Sequence, residues 1–351
     1  MLQTTPKPKL EPKLKVRAAG SRPNTKSLGL FIAVALICLV CVSAIIGFGL
    51  HAHISEMSKI KRIVNIAATP FPSNVSSDDR IASSVSDGLR SPSPQYRDYL
   101  VIWILWFQGW EEAPWLQRAI VHSWALHNPE WTIQLVSEKN LDALLPGVGS
   151  PPLSSGVDDV KTKTHRVHYH WRIKSPAARS DVVRLSLLEK YGGIWADSTM
   201  ICMKPLDSWV QEALRPVGFW MYHGANEGPA SWFILSVRRG YIISSWKAAC
   251  DEYWRDRREE HTYQWMDALF FALLKVDPKF SEDWSRVPNL SCEAPGQAHM
   301  LAGYLLDNDP GVDTILRENP PHALKLSRHF EAHPSELVMT NVVRALDASF
   351  S

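Results

Sequence analysis

A surplus of charge of either sign is what this 351-residue chain lacks: 38 Lys and Arg face 36 Asp and Glu, for a formal net charge of +2. That balance gives no electrostatic basis for a nucleic-acid partner. An acidic tail is absent, and so is an internal repeat. Cysteine is scarce: of five, Cys38 and Cys41 lie inside an uncharged apolar run, leaving Cys202, Cys250 and Cys292. Three thiols allow at most one internal disulfide, and their spacing matches no zinc pattern, so a cage of cysteines is not expected. Nor does the chain show the paired acids that a glycoside hydrolase sets about 5–10 Å apart.

The long apolar run is plain. Residues 28–50, "LGLFIAVALICLVCVSAIIGFGL", carry no charge. At about 1.5 Å rise per residue they exceed the roughly 30 Å hydrocarbon core. The run is too long for a cleavable signal peptide and leaves through "HAHISEM", so a signal anchor is expected. Before it Lys7, Lys9, Lys13, Lys15, Arg17, Arg22 and Lys26 face the single acid Glu11. The positive-inside rule then places the N-terminus in the cytosol and the rest in the lumen, a single-pass type II topology. Residues 1–27 are expected as a disordered cytosolic tail. Residues 51–95, rich in Ser, Pro and Asp, are expected as a flexible stem, and 96–351 as the lumenal folded domain. "NVS" at Asn74 and "NLS" at Asn289 are glycosylation acceptors in a eukaryotic lumen.

Beyond the stem, "YLVIWILWF" (99–107) reads as a strand buried on both faces. "PWLQRAIVHSWALHN" reads as a helix with Pro114 in its first turn, "WTIQLV" as a second strand, and Ser137 as the N-cap of "EKNLDALL". Alternating strands and helices imply βαβ units and an α/β sheet. "SPAARSDVVRLSLLEKYGG" is a further helix opened by Pro176 and closed by Gly192, and "GIWAD" is a strand ending at Asp197. Asp181 and Arg184, three apart, share one face near that helix's start. Ligands gather at the carboxyl ends of strands in such sheets, where a carboxylate such as Asp197 can hold Mg²⁺ or Mn²⁺ against a diphosphate. The plain readings stay open: Asp181 also suits a helix start by the dipole, and Arg184 can pair with Glu189 or solvent.

The pattern "SD..R...L..YGG.W.D.T......PLD" within "RSDVVRLSLLEKYGGIWADSTMICMKPLD" resembles the capsular polysaccharide synthesis glycosyltransferases, relatives of the DXD-motif sugar-binding-region transferases. "IWILWFQGWEEAPWLQRAIVHSWALHNPEWTIQLVSEKN" upstream and "YWRDRREEHTYQWMDALF" downstream support it. The resemblance implies a GT-A-like (nucleotide-diphospho-sugar transferase) single domain with a mixed, mainly parallel sheet. It also implies a nucleotide-sugar donor, a glycan, glycolipid or polysaccharide acceptor, and a divalent cation. Asp197 becomes the metal and diphosphate carboxylate. Asp181 and Arg184 contact the donor, Trp103 or Trp106 faces the base, and Tyr191, Gly192 and Gly193 let the backbone approach the ligand. Asp267 becomes a base for an inverting reaction, with a plain polar helix position as the alternative, and His322 a late metal ligand. The second acid of DXD is replaced by Thr199, a weaker neutral ligand, which leaves metal dependence open. The missing acid also motivates a second reading, a catalytically inactive membrane-tethered glycan-binding protein or scaffold. The basic run 161–174, with His165, His168 and His170, reads as an exposed loop that can also attract diphosphate. With the membrane topology, a Golgi membrane location is expected in a eukaryote.

Overall fold

The computed structural model describes residues 100–146, 172–224, 228–299, 311–326 and 336–351, and most of 55–77. The expected anchor at 28–50, the tail before it, most of the latter part of the stem and His165, His168 and His170 lie outside the described residues. Among the described residues no helix is long and apolar enough to cross a membrane.

Eight strands are described: β1 (Val75–Ser76), β2 (Val101–Leu105), β3 (Thr132–Val136), β4 (Gly193–Ala196), β5 (Met200–Cys202), β6 (Phe219–His223), β7 (Pro229–Ser236) and β8 (Ala323–Lys325). With them come helices α1 (Trp115–His127), α2 (Glu138–Leu144), α3 (Pro176–Tyr191), α4 (Val210–Leu214), α5 (Tyr241–Trp254), α6 (Trp265–Val276), α7 (Pro278–Arg286), α8 (Val312–Glu318) and α9 (Glu336–Ser349). Six strands form one mixed sheet in the order β1-β3-β2-β4-β7-β6. The β1–β3, β3–β2 and β2–β4 pairs are parallel, and the β4–β7 and β7–β6 pairs antiparallel. β5 and β8 pair antiparallel in a separate ribbon. The α/β class and the mainly parallel sheet expected from the sequence are what the chain adopts.

Local chemistry explains the helix ends. Ser137 caps α2 in a reciprocal box: its hydroxyl accepts from the Lys139 N–H, and Asn140 Oδ1 accepts from the Ser137 N–H at 2.9 Å. Ser175 caps α3, with Pro176 in its first turn. Pro114 stands one residue earlier than expected, at the cap of α1. β2 is buried along its whole length, the pattern of a strand covered on both faces. Eight of the 15 tryptophans are buried to within about 2%. At roughly 150–250 Å² each and about 25 cal/mol per Å², burial contributes about 4–6 kcal/mol per indole as an upper bound. The tryptophan excess is therefore mainly core.

Part of the expected stem belongs to the folded unit, which runs from Met57 to Ser351. β1 pairs with β3 through Val75 and Ser76, and Ile63 and Ala67 are buried. Arg118 donates to the carbonyls of Ala67 and Thr69. Composition missed this because the segment docks by backbone pairing and scattered apolar contacts, Ile63, Ala67 and Phe71 among them, rather than by a long apolar run.

The turn from α3 into β4 requires glycine. Gly192 and Gly193 have φ of 74° and 95°, and a Cβ on Gly193 would lie 2.6 Å from both Val101 Cγ1 and the Val101 carbonyl oxygen. Gly193→Ala is therefore expected to cost about 2–4 kcal/mol through backbone strain and overpacking, read as a lower urea midpoint.

Candidate functional site

β4 ends at Ala196, and the chain turns through Asp197, Ser198 and Thr199 into β5, with the Met200 N–H donating to the Asp197 carbonyl at 3.0 Å. This corner joins the main sheet to the β5–β8 ribbon. In that ribbon Lys325 stands opposite Met200, and the Leu326 N–H donates to the Thr199 carbonyl at 2.9 Å. Backbone register thus carries the Lys325 side chain to the corner. Its ammonium donates to Asp197 Oδ2 at 2.9 Å and to Thr199 Oγ1 at 2.5 Å.

The other carboxylate oxygen is also occupied. Asp197 Oδ1 accepts from Trp195 Nε1 at 2.8 Å and from Arg184 Nη2 at 3.2 Å. Arg184, on α3 and only 7% exposed at its side chain, also pairs with Asp181 at 3.1 Å. Its Nη1 donates to the Ser231 carbonyl at 2.6 Å and to Ser231 Oγ at 3.0 Å on β7. The guanidinium lies 5.2 Å from the centre of the Trp195 ring. Four elements of different sequence origin thus meet on one ionic cluster.

The cluster lines a cleft of about 630 Å³, within the range of small-molecule sites. Trp106 lies at the mouth of β2, Trp232 on β7 and Asp267 on the first turn of α6, while Cys292, Glu293 and His299 lie on the loop after α7. Burial pushes the Asp197 carboxyl up, but Lys325 and then Arg184 outweigh it and hold it below the ordinary value. Asp181 behaves oppositely: burial, aided by Asp197 and Asp267, raises it to about 7 despite Arg184. Burial likewise raises Asp267 to about 6 against the pull of Arg184. Near neutrality the ionic cluster and Asp267 therefore combine one firmly ionised carboxylate, two cations and two carboxyls able to take up or release a proton.

Of the residues singled out in sequence, Asp181, Arg184, Asp197, Thr199, Trp106 and Asp267 come together in this cleft. Others do not. Trp103 is fully buried, its indole N–H bonded to the Gly192 carbonyl at 2.9 Å and its ring against Tyr191. Tyr191 is buried, and its hydroxyl donates to the Leu144 carbonyl at 2.7 Å. Gly192 and Gly193 serve the turn and the approach of β4 to β2 rather than the approach to a ligand. Trp103 was placed near the base by its position in the first strand, and Tyr191, Gly192 and Gly193 near a ligand by their proximity in sequence to Asp197, but the end of α3 lies at the far end of β4. His322 is stacked on Trp209 at 4.0 Å, with its imidazole lowered to about 4 by burial and by Lys204. It is not among the residues lining the cleft; Lys325, three residues on, is. Asn74 donates its side-chain nitrogen to the carbonyls of Asn128 and Trp131 at 3.1 and 3.3 Å, bonds that a glycan on that nitrogen would displace, whereas Asn289 is exposed. Lys325 and Ser231 were missed, the first because its partner lies 128 residues away.

The corner does not fit a divalent cation. Mg²⁺ and Mn²⁺ need oxygens with uncommitted negative charge. Here both Asp197 oxygens are committed, Thr199 Oγ1 is taken by Lys325, and two cations already surround the one ionised carboxylate.

Comparison with known proteins adds an independent line. The family model described as capsular polysaccharide synthesis protein matches residues 65–145 and 164–325. Glycosyltransferase afumC of Aspergillus fumigatus is 28% identical over 164 residues, covering 44% of this chain and 38% of that protein. O-glycosyltransferase PaGT of Phomopsis amygdali is 30% identical over 143 residues, covering 38% of this chain and 31% of that protein. The chain thus spans between three and four tenths of the length of these curated relatives. A solved structure, PaToxG glycosyltransferase, superposes over 86% of this chain and 96% of its own, with a TM-score of 0.33 and 14% identity.

The raised carboxyls leave a pH signature. An unfolded Asp titrates near about 3.9, so between about pH 4 and pH 7 the folded chain holds a proton on Asp181 that the unfolded chain has lost. The Asp181 contribution to stability is therefore greatest at acid pH and declines as pH rises through that window. Relative to Asp181→Asn, the parent is expected to lose stability between about pH 5 and pH 7.5, as measured by urea midpoints at the two values.

Proposed function

Because the chain belongs to the capsular polysaccharide synthesis protein family, we propose that it is a glycosyltransferase of GT-A-like fold. It moves a sugar from a nucleotide-diphosphate donor to a hydroxyl of a glycan, glycolipid or polysaccharide. The observation that carries this reading is the ionic cluster of Asp181, Arg184, Asp197 and Lys325 at the carboxyl ends of parallel strands, in a cleft able to enclose a nucleotide sugar. The uncharged run at 28–50 and the basic residues before it support a type II membrane anchor, a cytosolic N-terminus and a lumenal domain, in the Golgi of a eukaryote.

In this reading the charge of the leaving diphosphate is met by protein cations. With Asp181 protonated, Arg184 and Lys325 exceed Asp197 by one positive charge. Lys325, held by Asp197 and Thr199, keeps a third N–H for an anionic oxygen. Arg184 is committed to Asp181, Asp197 and Ser231, and so fixes Asp197, which fixes Lys325. Trp106, half-buried at the rim, offers a face to the base. Asp267, raised to about 6, is suited to take the acceptor hydroxyl's proton near neutrality, which favours inversion. Asp181 and Arg184 sit behind the corner and position it.

The second reading, a tethered glycan-binding protein without chemistry, is favoured by the same missing acid at Thr199. Donor turnover by the purified chain, with and without Mn²⁺, separates the two. Under the transferase reading, Lys325→Met is expected to weaken nucleoside diphosphate binding by about 10–100-fold, with Lys325→Arg retaining most of it. Asp197→Asn is expected to lower turnover by at least about 100-fold in a chain that still unfolds cooperatively. Normal turnover in Asp197→Asn would remove this site from the reaction, and a strict requirement for added Mn²⁺ would restore the cation to the corner.

A further inference from the structure

The loop after α7 is built around a second group of side chains that this reading leaves unused. Ser291 bridges to His223 on β6, and the Cys292 N–H donates to the His223 carbonyl at 2.9 Å, tying the loop's start to the sheet. The chain then turns through Ala294 and Gly296, the latter at φ 75°, and returns so that the His299 N–H donates to the Cys292 carbonyl at 3.0 Å. That closure sets Cys292 Sγ 3.7 Å from His299 Nδ1 and 3.7 Å from Glu293 Oε1, with Glu293 Oε1 2.9 Å from His299 Nδ1. Among the described residues this is the one group of three His, Cys, Asp or Glu side chains whose ligand atoms lie within 4.8 Å of one another. All three residues line the cleft.

We propose that Cys292, Glu293 and His299 form a three-ligand binding site for a borderline-soft divalent ion of the Zn²⁺ class, with its fourth position open to the cleft. Tetrahedral Zn²⁺ with bonds of about 2.3 Å to sulfur and about 2.0–2.1 Å to nitrogen and oxygen holds its ligand atoms about 3.3–3.6 Å apart. The three observed separations bracket that range, so small side-chain rotations suffice. A thiolate, an imidazole and a carboxylate together select Zn²⁺ or Co²⁺ over Mg²⁺ and Mn²⁺. Three protein ligands with one open position is the pattern of sites that engage water or substrate. A hydrogen bond between Glu293 and His299 would need no sulfur at the third corner, yet the backbone closure places a buried thiol there.

Binding has a defined proton balance. Burial, with Glu293 adding to it, pushes the Cys292 thiol up to about 12, so the free site carries S–H. The ion takes the sulfur lone pair and the thiol proton leaves to solvent. His299 turns its Nδ1 lone pair to the ion and keeps its proton on Nε2, and the Glu293 carboxylate completes a neutral site. One proton is released per ion, and affinity rises with pH.

The test is Co²⁺ titration of the full chain, stripped of metal and kept reduced, and does not depend on activity. The expected result is one ion per chain, a sulfur-to-cobalt charge-transfer band in the near ultraviolet, tetrahedral visible bands, and displacement by Zn²⁺ but not by Mg²⁺. Cys292→Ser should abolish the charge-transfer band, and His299→Gln should weaken binding at least about tenfold, while Asp197→Asn leaves both intact. Absence of the band in the parent chain, or its persistence in Cys292→Ser, overturns the proposal. If Cys292→Ser does not fold, the His299→Gln result decides alone: unchanged affinity there overturns it. Failure of donor turnover with the cobalt signature present would overturn the transferase reading and leave this site standing.

Discussion

A guanidinium that is 7% exposed cannot be left without anions, and the partners gathered around Arg184 organise this molecule. Stranding such a charge costs several kcal/mol. The fold supplies Asp181 from the same helix, Asp197 from the end of β4 and Ser231 from β7. Asp197 and Ser231 each fix the approach of one strand to α3. Asp197 then has a second oxygen to satisfy, and the β5–β8 ribbon brings Lys325 to it. The corner's shape and its charge therefore have one origin. The carboxylate that pairs the buried arginine also holds the exposed end of the network, Lys325 and Thr199, toward the cleft.

This chain of dependence explains which parts were legible in sequence. The elements that rest on local signals appear where the sequence puts them: Ser137 as a cap, Pro176 in the first turn of α3 and Gly192 at its close, and the fully apolar β2 in the middle of a parallel array. Asp181, Arg184 and Asp197 were legible together because one helix turn and one short strand separate them, so spacing already implies a shared end of the sheet. Lys325 was not legible. In "HALKLSRHF" it was His322 that read as a metal ligand, and nothing in the segment indicates that β8 pairs with β5 in the register that sets Lys325 against Met200. The glycines and Tyr191 failed in the opposite way. They are contiguous with Asp197 in sequence, but a strand of four residues carries the chain from the core to the cleft between them. The docking of the segment around Asn74 was not legible because β1 is a two-residue strand too short to announce itself.

The replacement of the second acid by Thr199 looks, in the sequence, like a weakened metal site. In three dimensions it is a coherent alternative. With Asp181 protonated, a second carboxylate at 199 would cancel the corner's positive charge, which better suits a divalent cation. A hydroxyl there leaves Asp197 as the only ionised acid between Arg184 and Lys325 and turns the corner net positive when Asp181 is protonated. A positively charged corner can meet a diphosphate directly. Threonine and Lys325 are thus two halves of one device, bonded to each other at 2.5 Å.

The same cleft divides its work by depth and by wall. Asp181, paired with Arg184, is raised by burial and so tunes the charge of the corner. Asp267, on α6, shares that rise but lines the cleft from another helix, the wall on which the proposed transfer would receive the acceptor hydroxyl. The two carboxyls are displaced in the same direction by one cause, burial, which outweighs the pull of Arg184 on each. The cluster can exchange protons near neutral pH and yet stay cationic at its corner, because Lys325 and then Arg184 keep Asp197 ionised while burial holds protons on Asp181 and Asp267.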